Sequence, residues 1–174
     1  MIGRRVVVWG VTGSGKTGFA RSLGEALGLG VVEMDAIRHA RGWDSTPWDE
    51  FRERLTQTRS YSRISDGYLA RADTLIWLHV PWRVSFWRLL RRTIRRSWTK
   101  EPLYEGSPAR ESWRLSFFSP KSILWWGLAH HCGSVRRRYA RTAALRATLR
   151  VYELRTAREV EAFLRATAQI RASE

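Results

Sequence analysis

The sequence predicts an α/β fold built on a parallel sheet with helices on both faces. Three observations carry that expectation. Short, wholly apolar runs rich in β-branched residues alternate with stretches of helical period. One of these runs leads straight into the string GVTGSGKT, Gly10 to Thr17, and a helical stretch follows it. No segment repeats and no low-complexity linker interrupts the 174 residues, so one domain over 1–174 is expected, with an insertion near 97–119.

The elements follow in order. Arg5–Trp9 has no polar alternation, which suits a strand buried on both faces. After the glycine string, Phe19, Leu23, Ala26 and Leu27 recur at helical spacing, and Gly28 is placed to stop the helix. VVEMD, Val31 to Asp35, reads as a second short strand. Thr46 and Pro47 supply a cap and a first-turn residue for a helix PWDEFRERLTQT. TLIWLHV, Thr74 to Val80, is another buried strand ended by Pro81. Trp82–Trp98 is a two-sided helix, with Arg88, Arg91, Arg92 and Arg95 on one face and Trp87, Leu90 and Ile94 on another. TKEPLYEGSPARESWRLSFFS reads as a loop or flap, and Ser119–Pro120 open a further helical stretch. TLRVYEL, Thr148 to Leu154, is a late strand. Thr156 and Glu159 have capping-box spacing at the start of a last helix.

Composition narrows the class. A hydrophobic content of 44% supports a core and excludes a disordered chain. The single cysteine, Cys132, excludes an internal disulfide and fits a reducing compartment. The first apolar run is too short for a secretory core, and no run approaches the ~18 apolar residues of a membrane span. A cytoplasmic protein without a membrane span is the expectation. The formal charge of +15 favours anionic partners. The charge is unevenly spread: no acid falls between Asp73 and Glu101, while six arginines lie within Arg83–Arg96.

Gly10–Thr17 fits the pattern G-x-x-x-x-G-K-[ST]. A triphosphate needs many donors at close range and no side chains in the way. Gly10, Gly13 and Gly15, with Thr12 and Ser14 between them, let backbone N–H groups turn inward, and the following helix adds its positive end. Lys16 reaches the β- and γ-phosphates, and the Thr17 hydroxyl suits Mg²⁺. ATP with Mg²⁺ is therefore the expected cofactor.

Glu33 and Asp35, two apart at the end of the expected second strand, would face the same side. Glu33 could order Mg²⁺ through water, and Asp35 could orient or deprotonate an acceptor hydroxyl. The plain alternative is a pair of solubility charges. The arginine face offers Arg88, Arg91, Arg92 and Arg95 as a lid that stabilises transferring phosphate; Arg110 could add to it from the flap, and Arg38 completes the substrate and lid set. Two other readings compete: an ordinary solvated face, or a basic helix with tryptophans that lies on a membrane surface or on nucleic acid. His130, His131 and Cys132 are adjacent, which is poor geometry for one tetrahedral metal. Trp43, Trp98 and Trp113 lie in polar segments, unlike the remaining tryptophans.

The residues GVTGSGKT, EMDAIRHARGW, DEFRERL, ARADTLIWLHVP, WRLLRRTIRRS, ESWRLSFFSPKSILWWGL and LRVYELRTAREVEAFL together resemble small bacterial P-loop NTPases of the adenylate-kinase-like type, also called "DNA topology modulation" proteins. The resemblance covers most of the chain and is most specific from ARADTLIWL to FFSPKSILWW. It implies a nucleoside-monophosphate-kinase-like three-layer sandwich with a basic helical lid, ATP and Mg²⁺ binding, and a poorly defined phosphoacceptor. It also implies an adenine-side role for Arg155, which follows the last strand. Two departures stand out. The interior strand that relatives carry after the DEFRERL helix is missing from RSYSRISD, which puts acceptor binding in doubt, and His79 stands where relatives have an acid. The leading expectation is a kinase that transfers the ATP γ-phosphate to a small molecule or nucleotide. The alternatives are a nucleotide-gated nucleic-acid binder, or an ATP binder that has lost its acceptor site.

Overall fold

The structure is a computed structural model that describes residues 2–38, 47, 49, 50, 53, 72–102, 110–117, 122, 124, 137 and 144–172. Its elements are β1 (Val6–Gly10), α1 (Lys16–Leu27), α2 (Met34–Arg38), β2 (Thr74–Leu78), α3 (Trp82–Thr99), α4 (Trp113–Phe117), β3 (Arg150–Leu154) and α5 (Ala157–Ala172). The described strands form one parallel sheet in the order β1-β2-β3. The class is α/β, as the alternation of apolar runs and helical periods predicts. All three sequence-predicted strands that pair in this sheet sit where their apolar runs fall, to within two residues at either end.

Register explains what each strand buries. Val6, Val7, Val8, Trp9 and Gly10 pair with Thr74, Leu75, Ile76, Trp77 and Leu78, which pair in turn with Arg150, Val151, Tyr152, Glu153 and Leu154. β2 is central among the described strands and is buried at every residue. Side chains alternate between the two faces. On one face Val6, Val8, Ile76, Leu78, Tyr152 and Leu154 meet Phe19, Leu23 and Leu27 of α1 and Val160, Phe163 and Leu164 of α5. Phe163 bridges the layers, with its ring 6.1 Å from Phe19 and 5.1 Å from Tyr152. Burial of each such aliphatic or aromatic side chain is worth about 1.5–3 kcal/mol.

Helix ends follow their local chemistry. α1 stops at Gly28, whose φ of 65° is the left-handed conformation that a Cβ disfavours, and the Leu29 N–H closes back on the Gly24 carbonyl at 2.8 Å. α5 opens on the predicted capping box. The Glu159 N–H donates to the Thr156 hydroxyl at 3.2 Å, and the Glu159 carboxylate accepts from the Arg155 N–H at 2.8 Å. These hydrogen bonds hold the Glu159 carboxyl below its ordinary range: that from the Arg155 amide first, then that from the Thr156 hydroxyl.

Two expectations need correction. Val31–Asp35 is not a strand: 31–33 carry no regular structure, and α2 starts at Met34 with the Ala36 and Ile37 N–H groups bonded to the Glu33 carbonyl. Two β-branched residues are too few to outweigh the helix-forming Glu-Met-Asp-Ala that follows. The buried stripe of α3 is also not the one expected. Leu89, Thr93 and Ser97 are buried, whereas Trp87 and Ile94 are exposed. Trp87 and Ile94 of the apolar arc therefore face out, and three hydroxyl residues, Ser85, Thr93 and Ser97, line the buried side. Part of the expected flap is ordered as well: α3 runs on to Thr99, Pro102 bridges Arg110 in antiparallel fashion, and α4 follows. Of the expected helix after Pro47 only 47, 49, 50 and 53 are described, and Asp49, Glu50 and Glu53 are helical; the missing strand near Arg59–Tyr61, Trp43 and the His130–Cys132 triplet lie outside the described residues.

The chain divides into two compact units. The first comprises Met1–Val31, Ala72–Phe86 and His130–Glu174, and the second comprises Val32–Arg71 and Trp87–Ala129. The sheet, α1 and α5 belong to the first.

Candidate functional site

The glycine string lies in the first unit, at the carboxyl edge of the sheet, between β1 and α1. Gly13 and Gly15 have φ of 82° and 90°, values that side chains disfavour, so glycine is required at both. Gly10 is required for another reason: a Cβ there would collide with the hydroxyl of Ser14. Ser14 is buried, and its N–H turns the loop by donating to the Val11 carbonyl at 3.1 Å. Thr12 is half-buried beside it.

Gly15 is the N-cap of α1, and no side chain caps this end. The first turn holds no acid. The helix therefore begins with no acid of its own at its positive end, and its first residues are Lys16 and Thr17, both half-buried. α5 shows the contrast within the same unit, because there Thr156 and Glu159 supply both a cap and an acid.

Sequence reasoning missed a second constellation at the same edge. Gly10, Leu78 and Leu154 are level across the sheet, so His79 leaves β2 one strand spacing (~4.8 Å) from the start of the glycine string, and Arg155 leaves β3 one spacing further. His79 Nδ1 lies 2.7 Å from Glu153 Oε1. Arg155 Nε donates to the same oxygen at 3.0 Å. The His79 N–H holds the Leu154 carbonyl at 2.8 Å, and its ring stacks on Trp77 with centroids 4.6 Å apart. Burial pushes the Glu153 carboxyl up. The hydrogen bonds from Arg155 and His79, with their charges, outweigh it and leave the group below its ordinary range. A lone Glu inside the apolar run RVYEL was the available signal, but only the register of β2 against β3 reveals its partner.

The structure places the remaining expected residues in the second unit. Glu33 precedes α2 and is half-buried, Asp35 is exposed in its first turn, and Arg38 ends it. They do not share a strand face, so the argument that paired them there fails. On α3, Arg88, Arg91 and Arg95 are exposed and Arg92 is half-buried. Arg95 is held by the Glu101 carboxylate, at 3.0 and 3.1 Å. Arg110 donates to the Lys100 carbonyl. Lys100 itself ends α3 with a φ of 56°. Trp98 and Trp113 are exposed, as their polar surroundings suggested.

At the opposite, amino-terminal edge of the sheet a shallow cavity of about 700 Å³ is lined by Gly3, Arg5, Asp73, Arg146, Thr148 and Arg150. Asp73 is occupied in holding that edge together: it accepts from the Arg5 N–H at 3.0 Å and from the Thr74 hydroxyl at 2.9 Å. Among the described residues no group of three or more His, Cys, Asp or Glu side chains is arranged to hold a metal ion, and no helix is long and apolar enough to cross a membrane. No protein family, curated protein or solved structure matches the chain.

Proposed function

We propose that the protein is an ATP-binding phosphotransferase of the P-loop NTPase class, with a nucleoside-monophosphate-kinase-like three-layer architecture, acting on a small molecule or a nucleotide. One observation carries the reading: a strand feeds a turn in which Gly13 and Gly15 take positive φ, and this turn opens a long helix whose start has no side-chain cap and no first-turn acid and begins Lys-Thr. Such an end is a ready-made phosphate site. The fit to a nucleoside triphosphate is good, because Gly13 and Gly15 carry no side chain where the backbone takes positive φ and turns.

In this reading the backbone N–H groups from Thr12 to Thr17 bind the phosphates, Lys16 neutralises the β- and γ-phosphate oxygens, and the Thr17 hydroxyl is the metal ligand. A Mg²⁺ ion held there would supply positive charge against the charge that develops during transfer. Glu153 is a positioning residue: it fixes the Arg155 guanidinium, the candidate on the base side, through Nε and holds the His79 ring. Arg88, Arg91, Arg92, Arg95, Arg38 and Arg110, with the acids Glu33 and Asp35, are the second unit's own candidates for handling an acceptor.

The test is γ-phosphate transfer from labelled ATP with Mg²⁺ to pools of nucleoside monophosphates, nucleosides, sugars and nucleic-acid ends. The expected result is label in one pool, abolished in Lys16→Ala. Turnover retained by a folded Lys16→Ala protein would sink the reading.

A second reading draws on the outward face of α3. Trp87 is 62% exposed and Trp98 79%, with Ile94 also exposed, and Arg88, Arg91 and Arg95 share that outward arc. Aromatic faces beside arginines suit single-stranded nucleic acid. Affinity would then fall roughly a thousandfold or more between 50 and 200 mM salt if six or more phosphates are contacted. An affinity insensitive to salt, or unchanged in a Trp87→Ala/Trp98→Ala protein, removes this reading.

A further inference from the structure

Glu111 belongs to the second unit and lies between the exposed Arg110 and the half-buried Ser112. Its own side chain is 1% exposed, and neither carboxylate oxygen has a hydrogen-bond partner. A carboxylate removed from water is costly unless charge or several donors meet it. Cations are not scarce, for the chain has 31 Lys and Arg against 16 Asp and Glu. Other acids are matched: Asp73 with Arg5, Glu101 with Arg95, Glu153 with Arg155, Glu161 with Arg165. Arg110, the nearest arginine in sequence, instead holds the Lys100 carbonyl, and the Pro102–Arg110 bridge fixes it at the start of the segment. In the same unit Thr93 and Ser97, one turn apart on α3, are fully buried with hydroxyl oxygens that lack partners. This unit therefore buries acceptor capacity that the protein does not use.

We propose that Glu111 anchors a ligand site in the second unit for a molecule with two adjacent N–H donors, an amidine- or guanidine-type edge. Two carboxylate oxygens in one plane accept such a pair as a fork, the strongest neutral or charge-assisted match available to them. A divalent cation is a poor fit, because such ions take about six or more oxygen ligands and no acidic cluster accompanies Glu111 among the described residues. On either side of Glu111, Arg110 is exposed and Ser112 half-buried. The binding stands without the phosphotransferase reading.

Paired N–H donors come from free guanidinium compounds or from a guanine edge, and the two are separable. Thermal unfolding is followed without ATP, in the presence of millimolar methylguanidine, guanosine monophosphate or inosine monophosphate, for wild type, Glu111→Gln and Glu111→Leu. A wild-type midpoint raised by methylguanidine, or by guanosine monophosphate more than by inosine monophosphate, and unmoved in both variants, is the expected result. The responding probe names the source. In the absence of probes, Glu111→Leu should melt no lower than wild type, since it removes an unmatched carboxylate. No wild-type shift with any probe overturns the proposal, as does an equal shift in the variants. Should the variants fail to fold, the carboxyl carbon resonance of Glu111 in labelled wild type decides: movement on methylguanidine or guanosine monophosphate addition supports the site, and a fixed resonance overturns it. Because ATP is absent throughout, a failure here is distinct from a failure of the phosphate loop.

Discussion

In the first unit, buried or half-buried acids are met by donors from more than one element. Glu153 accepts from Arg155 and His79, and Asp73 accepts from the Arg5 amide and the Thr74 hydroxyl. In the second unit, Glu111 is more deeply buried than either and has no such donor, and Thr93 and Ser97 bury hydroxyls on a helix face. The difference follows from architecture. A parallel sheet fixes register, so side chains at its edges meet partners at set positions, and polar groups there are satisfied inside the protein. The buried face of α3 offers no such ladder. On the proposed function the first unit is a scaffold that holds a phosphate loop, and on the proposal for Glu111 the second is completed by what it binds.

The sharpest way to break this comparison is Lys16→Ala. It should lower nucleotide-dependent activity at least about 100-fold, the scale for losing a group aimed at transferring charge, while unfolding behaviour stays that of wild type. Steady-state transfer rates and a thermal melt of the same sample check it. Next in size is Leu78→Ala, in the fully buried central strand. It should cost about 2–5 kcal/mol in denaturant unfolding, whereas Trp98→Ser on the exposed arc should stay within about 0.5 kcal/mol. Similar costs for the two would mean that the outward face of α3 is part of a core.

Glu153→Gln probes the edge constellation, with an expected loss of about 1–3 kcal/mol for charge-assisted hydrogen bonds. Its pH dependence has a definite sign. The folded carboxyl titrates below its ordinary value. The stability it contributes is therefore present above that value and is lost as pH falls through the lower folded value. Wild-type melting temperature should drop over that acid window, and Glu153→Gln should flatten the drop. An unchanged acid limb would mean that His79 and Arg155 do not stabilise the charged carboxylate. The smallest effect is Thr156→Ala, about 1 kcal/mol for a lost helix cap, measured by the same unfolding titration.

Much of the first unit was legible in the sequence because its signals are local. β-branched runs announced three strands, Gly28 announced the end of α1, and the Thr156–Glu159 spacing announced the cap of α5. The glycine string could be read because its positive-φ positions admit little else. What could not be read depends on long-range placement. The Glu153–His79 contact joins residues on two strands and rests on their register. The buried stripe of α3 misled because Thr93 and Ser97 look polar and Trp87 and Ile94 look like core, while the fold turns the former inward. Val31–Asp35 misled because two valines resemble a strand until Glu33 begins to accept helical bonds. Glu111 gave no signal at all, since burial of a lone acid beside an arginine cannot be inferred from spacing.

The central claim is that the uncapped start of α1, with Lys16, binds a nucleoside triphosphate. Calorimetric titration of ATP with Mg²⁺ into wild type and Lys16→Ala tests it most directly. The account predicts saturable binding at one site per chain in wild type and its loss in the folded variant. Equal binding by both proteins, or none by wild type, would contradict it.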